Sequence, residues 1–583
     1  MTNIIIESSM KSFLDDFHIG KCDACTQFEH FVNYCVITKL YSEAYNNDRQ
    51  FYSKVHTGAG GDLGIDGILI VLNDIVVTTK EQVDDILNRA HHLEPRFVFI
   101  QAKTSSEFST GEMLKTGNGV NSMFDFEAAH TFNPKVEKFF NLLKYIYSKS
   151  ADFTENPECV IYYVTQGKWV GDNNQQTAIS STKQLLSSKG IFSTIQFNCI
   201  DANELIQISR ELRNQIIKVL PFSKRVSFPT IEGIKEAYIG LVKAKDYIAL
   251  ITDNHQNLQR SLFYENVRGF LGDNPVNSEI EATISSADKK PQFPILNNGV
   301  TIITRDLLCT GDSVKLTDFQ IVNGCQTSNV LYKNRAKLND DMMVPVKVIS
   351  TTDIDVIADV VKSTNRQTNV TLEAFESLKP FHKKLQDFYK AMEGAHHLYY
   401  ERRMNEYSKV NGVRVNKYLV VSLANQLYSM VSMFYADPHS THRYYGELLK
   451  SYTKSNKVFD ENHNLLMYYV SALALYKVDL SMSQGLISAD YHDYRHHLLL
   501  LLRILFLKTD SLPHMNSNEM ERKCKLIMEA LKDVKKFELT LKQAVQIIDY
   551  CTDHTKLTYG IGNSLDRRKE FTQELIDAAK AML

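Results

Sequence analysis

The stretch HTGAGGDLGIDG, His56–Gly67, and the stretch FVFIQAK, Phe97–Lys103, decide the fold of the first part of this chain. The first stretch packs five glycines and two aspartates into a turn and runs directly into an apolar segment, Gly67–Leu72. The second stretch is itself an apolar run of strand length. Short apolar runs bounded by turn residues are typical of strands in a buried sheet, so we predict two strands here.

Polar residues stand where the two predicted strands meet their turns. Asp66 precedes the first strand, and Gln101, Ala102 and Lys103 end the second. Because side chains alternate along a strand, Gln101 and Lys103 point to one face of the sheet and Ala102 to the other. If the strands are neighbours, a carboxylate, an amide and an ammonium group come together at one edge of the sheet.

This combination of groups suits the hydrolysis of a phosphodiester. Hard divalent cations such as Mg²⁺ or Mn²⁺ prefer oxygen ligands, which the Asp66 carboxylate, the Gln101 amide carbonyl and the Ala102 backbone carbonyl would supply. Such a cation lowers the pKa of a bound water and polarises the phosphate. Lys103 would orient the water and offset the charge that develops on the phosphate oxygens.

The elements around these strands predict an α/β domain. Residues 24–46 repeat apolar side chains at helical spacing, residues 80–92 form a charged helical insertion, and Val160–Thr165 is a third apolar strand. Residues 131–150 and 201–219 are predicted helices that flank the sheet.

A helix with Phe28 and Glu29, then GGDLGIDG, then QAK resembles the Mrr-like branch of the PD-(D/E)xK restriction-endonuclease superfamily. The resemblance implies a mixed sheet flanked by helices. It makes Asp66 the metal-binding aspartate, Gln101 the position usually held by Glu or Gln, and Lys103 the catalytic lysine. It also makes Glu29 a helix-borne carboxylate that assists the metal.

Several residues near these motifs have more than one interpretation. Glu43 points in roughly the same direction as Glu29 on a helical wheel and is its substitute. Asp62 fits a turn residue that caps backbone N–H groups, and His56 fits either a phosphate contact or a turn-stabilising residue. Each motif alone also fits an ordinary turn or a solvated sheet edge, and it is their combination that favours a nuclease. The charged insertion between the two strands departs from the family pattern.

A second set of polar strings lies in the middle of the chain. It comprises Tyr264–Gly272, Phe293–Ile303, Phe319–Tyr332, Lys362–Val370 and Leu398–Arg403. In the third string a strand breaks at Asn323-Gly324, and a helix is predicted to begin near Thr327. Such a helix start aims free backbone N–H groups at whatever lies in front of it, which favours an anion.

The candidate ligand contacts in these strings share amide or guanidinium side chains or stand at this predicted helix start. They are Arg268, Asn297, Asn298, Asn323, Gln326, Thr327, Asn365, Arg366 and Arg402. A guanidinium group reaches a phosphate in a bidentate way. Alternatively, the amides join buried loops by hydrogen-bonding the backbone.

Over roughly residues 240–410 these strings resemble the AIPR family, the abortive infection phage resistance proteins. NNGVTI and IVNGCQT are the specific part of the resemblance. It implies bacterial antiphage defence in which the infected host is sacrificed or arrested, and an N-terminal nuclease would be a sensible effector. The resemblance gives no reaction for the central part.

The chain divides into three predicted parts. The stretch Leu220–Gly233, which contains two prolines, marks one boundary. Long amphipathic helical patterns dominate from about residue 430 onward. We therefore predict a nuclease domain at 1–225, an α+β domain at 226–430 and an α-helical region at 431–583.

Composition limits the classes of function. The chain has 583 residues, 44% of them apolar, and a net charge of −2. This charge argues against a protein that coats nucleic acid through bulk electrostatics, but it is compatible with a metal-dependent hydrolase. Its apolar runs are far shorter than the roughly 20 residues that a membrane span needs, and its start does not resemble a signal peptide. A cytoplasmic protein is expected.

The sequence therefore predicts a Mg²⁺-dependent (or Mn²⁺-dependent) endonuclease acting on nucleic acid. The preference for DNA over RNA rests on family resemblance alone. A homodimer is expected, because cutting two strands needs two sites and dimers are the commonest oligomers. The leading alternative is a nucleic-acid or nucleotide-binding regulator whose nuclease fold is inactive, and a third possibility is a purely structural partner of a separate effector.

Overall fold

A computed structural model shows a mixed α/β protein with two main sheets and a large helical region. The structure describes residues 3–20, 22–58, 60–127, 131–213, 217–253, 256, 258–263, 275–364, 376–377, 379–392, 397–402, 406–407, 409–410, 413–559 and 564–583.

The first sheet has five strands in the order β2-β1-β3-β4-β5. Its strands are β1 (Gly67–Leu72), β2 (Ile75–Val77), β3 (Pro95–Lys103), β4 (Glu158–Thr165) and β5 (Thr194–Ile200). β1 runs antiparallel to β2 and β3, whereas β3, β4 and β5 run parallel. The three predicted strands are confirmed, and β2 and β5 were not predicted.

Helices cover both faces of this sheet. They are α1 (Ile4–Asp16), α2 (Ala24–Leu40), α3 (Glu43–Asn47), α4 (Phe51–Val55), α5 (Lys80–Ala90), α6 (Thr110–Ser122), α7 (Pro134–Tyr147), α8 (Asn173–Ser187) and α9 (Ala202–Arg213). One apolar core joins α1, α2 and α9 to one face, and a second core joins α5 to α8 to the other.

Two predicted helices differ from the observed ones. The helix predicted at 24–46 ends at Leu40 and resumes only at Glu43, because Tyr41 leaves helical geometry and its buried hydroxyl accepts a hydrogen bond from Arg96 on β3 (2.9 Å). The helix predicted at 201–219 ends at Arg213, and the chain continues as a strand that pairs with the central sheet.

The second sheet has six strands in the order β6-β10-β9-β11-β8-β7. They are β6 (Ile217–Pro221), β7 (Lys224–Ser227), β8 (Glu236–Lys243), β9 (Val300–Thr310), β10 (Ser313–Asn323) and β11 (Met343–Ser350). Neighbouring strands are antiparallel except β9 and β11, which are parallel. The predicted boundary stretch at 220–233 therefore contributes β7 and the end of β6 to this sheet.

Further helices accompany the second sheet. They are α10 (Ala244–Ile251), α11 (Pro275–Ser285), α12 (Phe293–Leu296), α13 (Cys325–Lys333) and α14 (Ile354–Thr364). Residues of α10, α11 and α13 share a core with one face of the sheet, and α14 packs on the other face.

The rest of the chain is mainly helical. Its helices are α15 (Pro380–Ala391), α16 (Leu423–Tyr435), α17 (Tyr445–Lys454), α18 (Leu465–Ser483), α19 (Arg495–Leu507), α20 (Asn518–Lys532), α21 (Val534–Tyr559) and α22 (Lys569–Ala581). Two short strand pairs precede α16, namely β12 (Tyr399–Tyr400) with β15 (Val420–Val421) and β13 (Lys409–Val410) with β14 (Val413–Arg414). One core extends from Phe381 to Ala579, so the predicted boundary at 430/431 falls inside α16.

In the described part of the chain, α18 is the one helix long and apolar enough to cross a membrane. Within the protein, 83% of the most apolar 18-residue stretch of this helix is buried. A helix that is apolar all round is buried either in lipid or in a protein core, and this one is the central helix of the C-terminal core.

Buried polar contacts join the first domain to the helical region. Asp48 forms ion pairs with Lys54 and with Arg495 of α19, both at 2.7 Å. Burial alone would raise the pKa of Asp48, but Arg495 and Lys54 hold it well below its ordinary value. Nearby, Arg49 donates to the Val420 carbonyl (2.7 Å). The interface therefore depends on charges that are correctly paired.

We predict that Asp48→Asn lowers the free energy of unfolding by about 3 kcal/mol, because it leaves the buried Arg495 guanidinium without its closest partner. Urea denaturation followed by circular dichroism measures the change. The control is Lys384→Gln, which breaks an exposed ion pair with Glu461 and should change stability little. Equal losses in the two variants would contradict the prediction.

Candidate active site at the edge of the first sheet

The backbone of Asp66 is fixed by two elements of the first domain. Its N–H donates to the Ile100 carbonyl of β3 (2.8 Å), and its carbonyl accepts from the Asn33 side chain of α2 (3.0 Å). The next residue, Gly67, allows this approach, because a Cβ there would lie 2.2 Å from the Asn33 side-chain oxygen. Asp66 therefore lies where α2, β1 and β3 meet.

The Asp66 side chain reaches across to the end of β3. Its Oδ2 accepts a hydrogen bond from the Ala102 backbone N–H (2.8 Å) and a second from the Gln101 side-chain amide. Asp66 and Gln101 are only 4% and 1% exposed. The structure thus brings Asp66, Gln101 and Ala102 together, and the Gln101 Oε1 is buried without a hydrogen-bond partner.

The Asp66 carboxyl is electrostatically unfavourable in its charged form. Burial raises its pKa to about 7, and the negative charge of Glu29 contributes to the increase. The Ala102 N–H and the Lys103 ammonium act in the opposite direction but do not offset burial. A buried acid beside a second acid is the environment in which a bound cation gains most.

Glu29 of α2 is held by a histidine. The His56 Nε2 lies 2.6 Å from the Glu29 Oε2, and the Lys135 ammonium of α7 lies 3.5 Å from the His56 Nδ1. Because a carboxylate only accepts and an ammonium only donates, a neutral His56 carries its proton on Nε2. Sequence spacing gave no sign of the Lys135 contact, and His56 was expected to act at a phosphate or a turn rather than on Glu29.

Lys103 lies on the same face of β3 as Gln101, as strand alternation predicts, while Ala102 packs in the opposite core. The Lys103 Nζ forms an ion pair with Glu112 of α6 (3.2 Å), and the Lys103 side chain is 33% exposed. The ammonium group is therefore near enough to lower the pKa of Asp66 and also open to solvent.

The glycine-rich loop before β1 is fastened to its surroundings. Gly60, Gly61 and Gly64 all have positive φ, a conformation that other residues rarely adopt. The Asn133 side chain at the start of α7 donates to the Gly60 carbonyl (3.1 Å). Asp62 accepts from the Gly64 N–H (2.8 Å), which is the predicted role of a turn residue.

The residues at this edge fit a divalent cation that keeps part of its water shell. No group of three or more His, Cys, Asp or Glu side chains in the described residues is arranged to hold a metal ion. Mg²⁺, however, is commonly bound by one or two carboxylates with water and substrate oxygens. Asp66 and Glu29 supply two carboxylates, and the unpartnered Gln101 Oε1 is a further oxygen donor.

Glu43, the predicted substitute for Glu29, lies elsewhere. Its half-buried side chain lines a separate cavity, where desolvation and then its charged neighbour Asp74 raise its pKa. Glu29, by contrast, acts directly on the pKa of Asp66. The interruption of the helix at Tyr41 accounts for this difference, since it gives Glu43 a new direction.

The two polar strings of the central sheet meet each other. Asn323 pairs with Thr301 across β10 and β9, and Gly324 packs against the Gly299 carbonyl. The helix α13 begins at Cys325, two residues before the predicted start, after a Gly324 with φ of 98° and no side-chain cap.

The predicted ligand contacts of this region have different environments. Gln326 and Thr327 are buried in the first turn of α13, Asn298 is exposed, and Asn297 donates to the Phe293 carbonyl (3.2 Å). Arg402 instead contacts the Ser377 carbonyl and Asp355. Three further candidates, Arg268, Asn365 and Arg366, lie outside the described residues.

We predict that Asp66→Asn stabilises the metal-free protein at pH 8 and has much less effect at pH 5. The pKa of Asp66 is raised from its ordinary 3.8 to about 7 in the folded protein. Ionisation of Asp66 therefore lowers the free energy of unfolding as the pH rises from about 3.8 to about 7, and the loss is complete above pH 7. The gain at pH 8 should be on the order of 3 kcal/mol. Urea denaturation in EDTA measures it, and an equal effect at both pH values would contradict the assignment.

Comparison with known protein families finds a match in the central and C-terminal parts of the chain. A family model described as AIPR protein matches residues 263–547, which include the NNGVTI and IVNGCQT strings. No curated protein and no solved structure matches the chain. Residues 263–547 are therefore similar to the AIPR family.

Proposed function

We propose that this protein is a metal-dependent endonuclease that cleaves nucleic acid, DNA in preference to RNA, during abortive infection. The observation that carries the proposal is the buried Asp66 carboxylate at the end of β3, with Gln101 and Ala102 bonded to it and Glu29 and Lys103 close enough to shift its pKa. A carboxylate, an amide and an ammonium at one sheet edge match the predicted chemistry.

Asp66, Glu29, the Gln101 amide oxygen and the Ala102 carbonyl would hold Mg²⁺ or Mn²⁺. The metal would supply an activated water and a polarised phosphate. To bind the metal, the Gln101 amide must turn over so that its oxygen replaces the nitrogen that now faces Asp66. This rotation needs little space, because the amide nitrogen and oxygen are nearly isosteric. His56 fixes the direction of the Glu29 carboxylate.

Lys103 is the residue that contacts the substrate in this proposal. Its ammonium is shared with Glu112 at a partly exposed position, where a surface ion pair contributes little to stability. A phosphate can therefore replace Glu112 at small cost. Once there, the compact charge of Lys103 offsets the negative charge that develops during hydrolysis.

The topology supports a PD-(D/E)xK assignment for the first domain. The order of elements is a helix with Glu29, a loop with Asp66, an antiparallel pair and then parallel strands. The charged insertion forms α5. It joins β1 and β3 at the end of the pair that is remote from Asp66, so it leaves their register at the site unchanged. A homodimer with one site per strand of DNA completes the proposal.

A second candidate is a nucleic-acid or nucleotide-binding regulator with an inactive nuclease fold. It is favoured by the hydrogen bonds that Asp66 already receives from Gln101 and Ala102 and by the Lys103 pair with Glu112. These contacts satisfy the site without a metal. The regulator would bind nucleic acid but leave it intact under every metal.

We predict that the purified protein cleaves plasmid DNA with Mg²⁺ or Mn²⁺ and not with EDTA. Asp66→Ala and Lys103→Ala should each reduce the cleavage rate by at least about 100-fold, because one removes a metal ligand and the other a charge that acts on the transition state. Gel assays with plasmid and single-stranded RNA measure the rates.

The control for this experiment is Glu155→Gln, an exposed residue paired with Lys333 on the far side of β4, which should cleave at the wild-type rate. Binding without cleavage under any metal would reject the nuclease in favour of the regulator. Cleavage that survives Asp66→Ala would place the active site elsewhere.

A further inference from the structure

A cavity of about 450 Å³ lies where the first domain, the central domain and the helical region meet. The first domain contributes residues of α3, α4, α7 and the β1–β2 turn, the central domain contributes α14, and the helical region contributes the starts of α16 and α19. This volume is within the range of about 300–1,000 Å³ that small-ligand sites occupy. Arg402, a predicted ligand contact, lines it.

One part of the cavity wall is rich in basic side chains. Lys54, Lys138, Arg495 and Arg567 stand there beside three carboxylates, which belong to Asp48, Asp493 and Asp566. The electrostatic effect of Lys138 reaches both Asp493 and Asp566, which shows that these groups form one cluster. Lys54 and Arg495 both pair with Asp48, and Arg567 pairs with Glu81. Lys138, by contrast, forms no ion pair within the described part of the chain.

Another part of the wall is acidic. Glu43 and Asp74 are neighbours there, and burial followed by the charge of Asp74 raises the pKa of Glu43 to about 7. In the portion of the chain that the structure describes, Glu43 has no basic side chain within ion-pair distance. Its carboxyl group therefore has no cationic partner there and can accept a hydrogen bond from an amine.

Apolar and aromatic side chains form the remaining wall. They include Phe51, Val76, Phe139, Leu142 and Tyr428. Rings and aliphatic groups of this kind pack against the flat face of an aromatic ligand. The cavity therefore presents a basic cluster, a surface for a ring and an acceptor for an amine.

We propose that this cavity binds a nucleoside monophosphate whose base carries an exocyclic amine. The phosphate lies at the basic cluster and contacts Lys138, which forms no ion pair among the described residues. The base packs on the apolar wall, and its amine donates to Glu43. Adenine and cytosine carry such an amine, whereas uracil and hypoxanthine carry a carbonyl oxygen in its place.

The cavity is linked to the proposed nuclease site. Lys54 lies in α4, which leads directly to His56, and Lys138 lies one turn after Lys135 in α7. His56 holds the Glu29 carboxylate, and Lys135 contacts His56 from the other side of the ring. Resting on the proposed function, this connection makes the nucleotide a regulator of metal binding at Asp66.

Calorimetry on full-length Asp66→Asn protein in EDTA tests the binding without any contribution from catalysis. AMP and CMP should bind saturably, IMP and UMP should bind at least about 10-fold more weakly than their amine-bearing counterparts, and adenosine should bind more weakly than AMP. Lys138→Ala should weaken AMP binding, whereas Lys144→Ala, a control on an exposed position of the same helix outside the cavity, should not. Glu43→Met should abolish the preference for AMP over IMP.

The proposal is overturned if none of the four nucleotides binds saturably to a protein with the wild-type melting temperature. It is also overturned if IMP binds as tightly as AMP, or if Lys138→Ala and Lys144→Ala have equal effects. Because none of these readouts involves cleavage, an inactive nuclease domain would leave the result intact, and a failed titration would leave the nuclease proposal intact.

Discussion

The hydrogen bond from the Ala102 N–H to the Asp66 carboxylate is the contact on which the rest of the site depends (2.8 Å). It exists because β1 and β3 are antiparallel neighbours, so the loop before one strand meets the end of the other. The same pairing buries Asp66 beside Gln101 and brings Lys103 to the same edge. A shift of one residue in register would turn every side chain of β3 to the opposite core.

Burial of the Asp66 carboxylate is unfavourable without a cation, and its neighbours do not remove this cost. Glu29 adds a second negative charge, which His56 fixes in place and Lys135 balances in part. A protein that only needed a stable core would gain from an apolar residue at Asp66. The retained charge is therefore better explained by a functional requirement than by stability, in keeping with the nuclease function proposed for this protein.

The sequence predicted the elements whose signals are local. Apolar runs gave β1, β3 and β4, and strand alternation gave the shared face of Gln101 and Lys103. The sequence could not predict contacts between distant segments, because these depend on tertiary structure. They are the hydrogen bond from Arg96 to Tyr41 at the end of α2, the contact of His56 with Glu29 and Lys135, and the pairing of β6 with β10. The strand break at Asn323-Gly324 also has a local signal and was predicted, and α13 begins at Cys325, two residues before the start predicted near Thr327.

Anomalous scattering from crystals soaked in Mn²⁺ would locate a metal bound at Asp66. We expect one strong peak at bonding distance from the Asp66 carboxylate, with the Gln101 amide turned so that its oxygen faces the metal. An Asp66 carboxylate that still accepts hydrogen bonds from Gln101 and Ala102 at saturating Mn²⁺, with no peak beside it, would contradict the central claim.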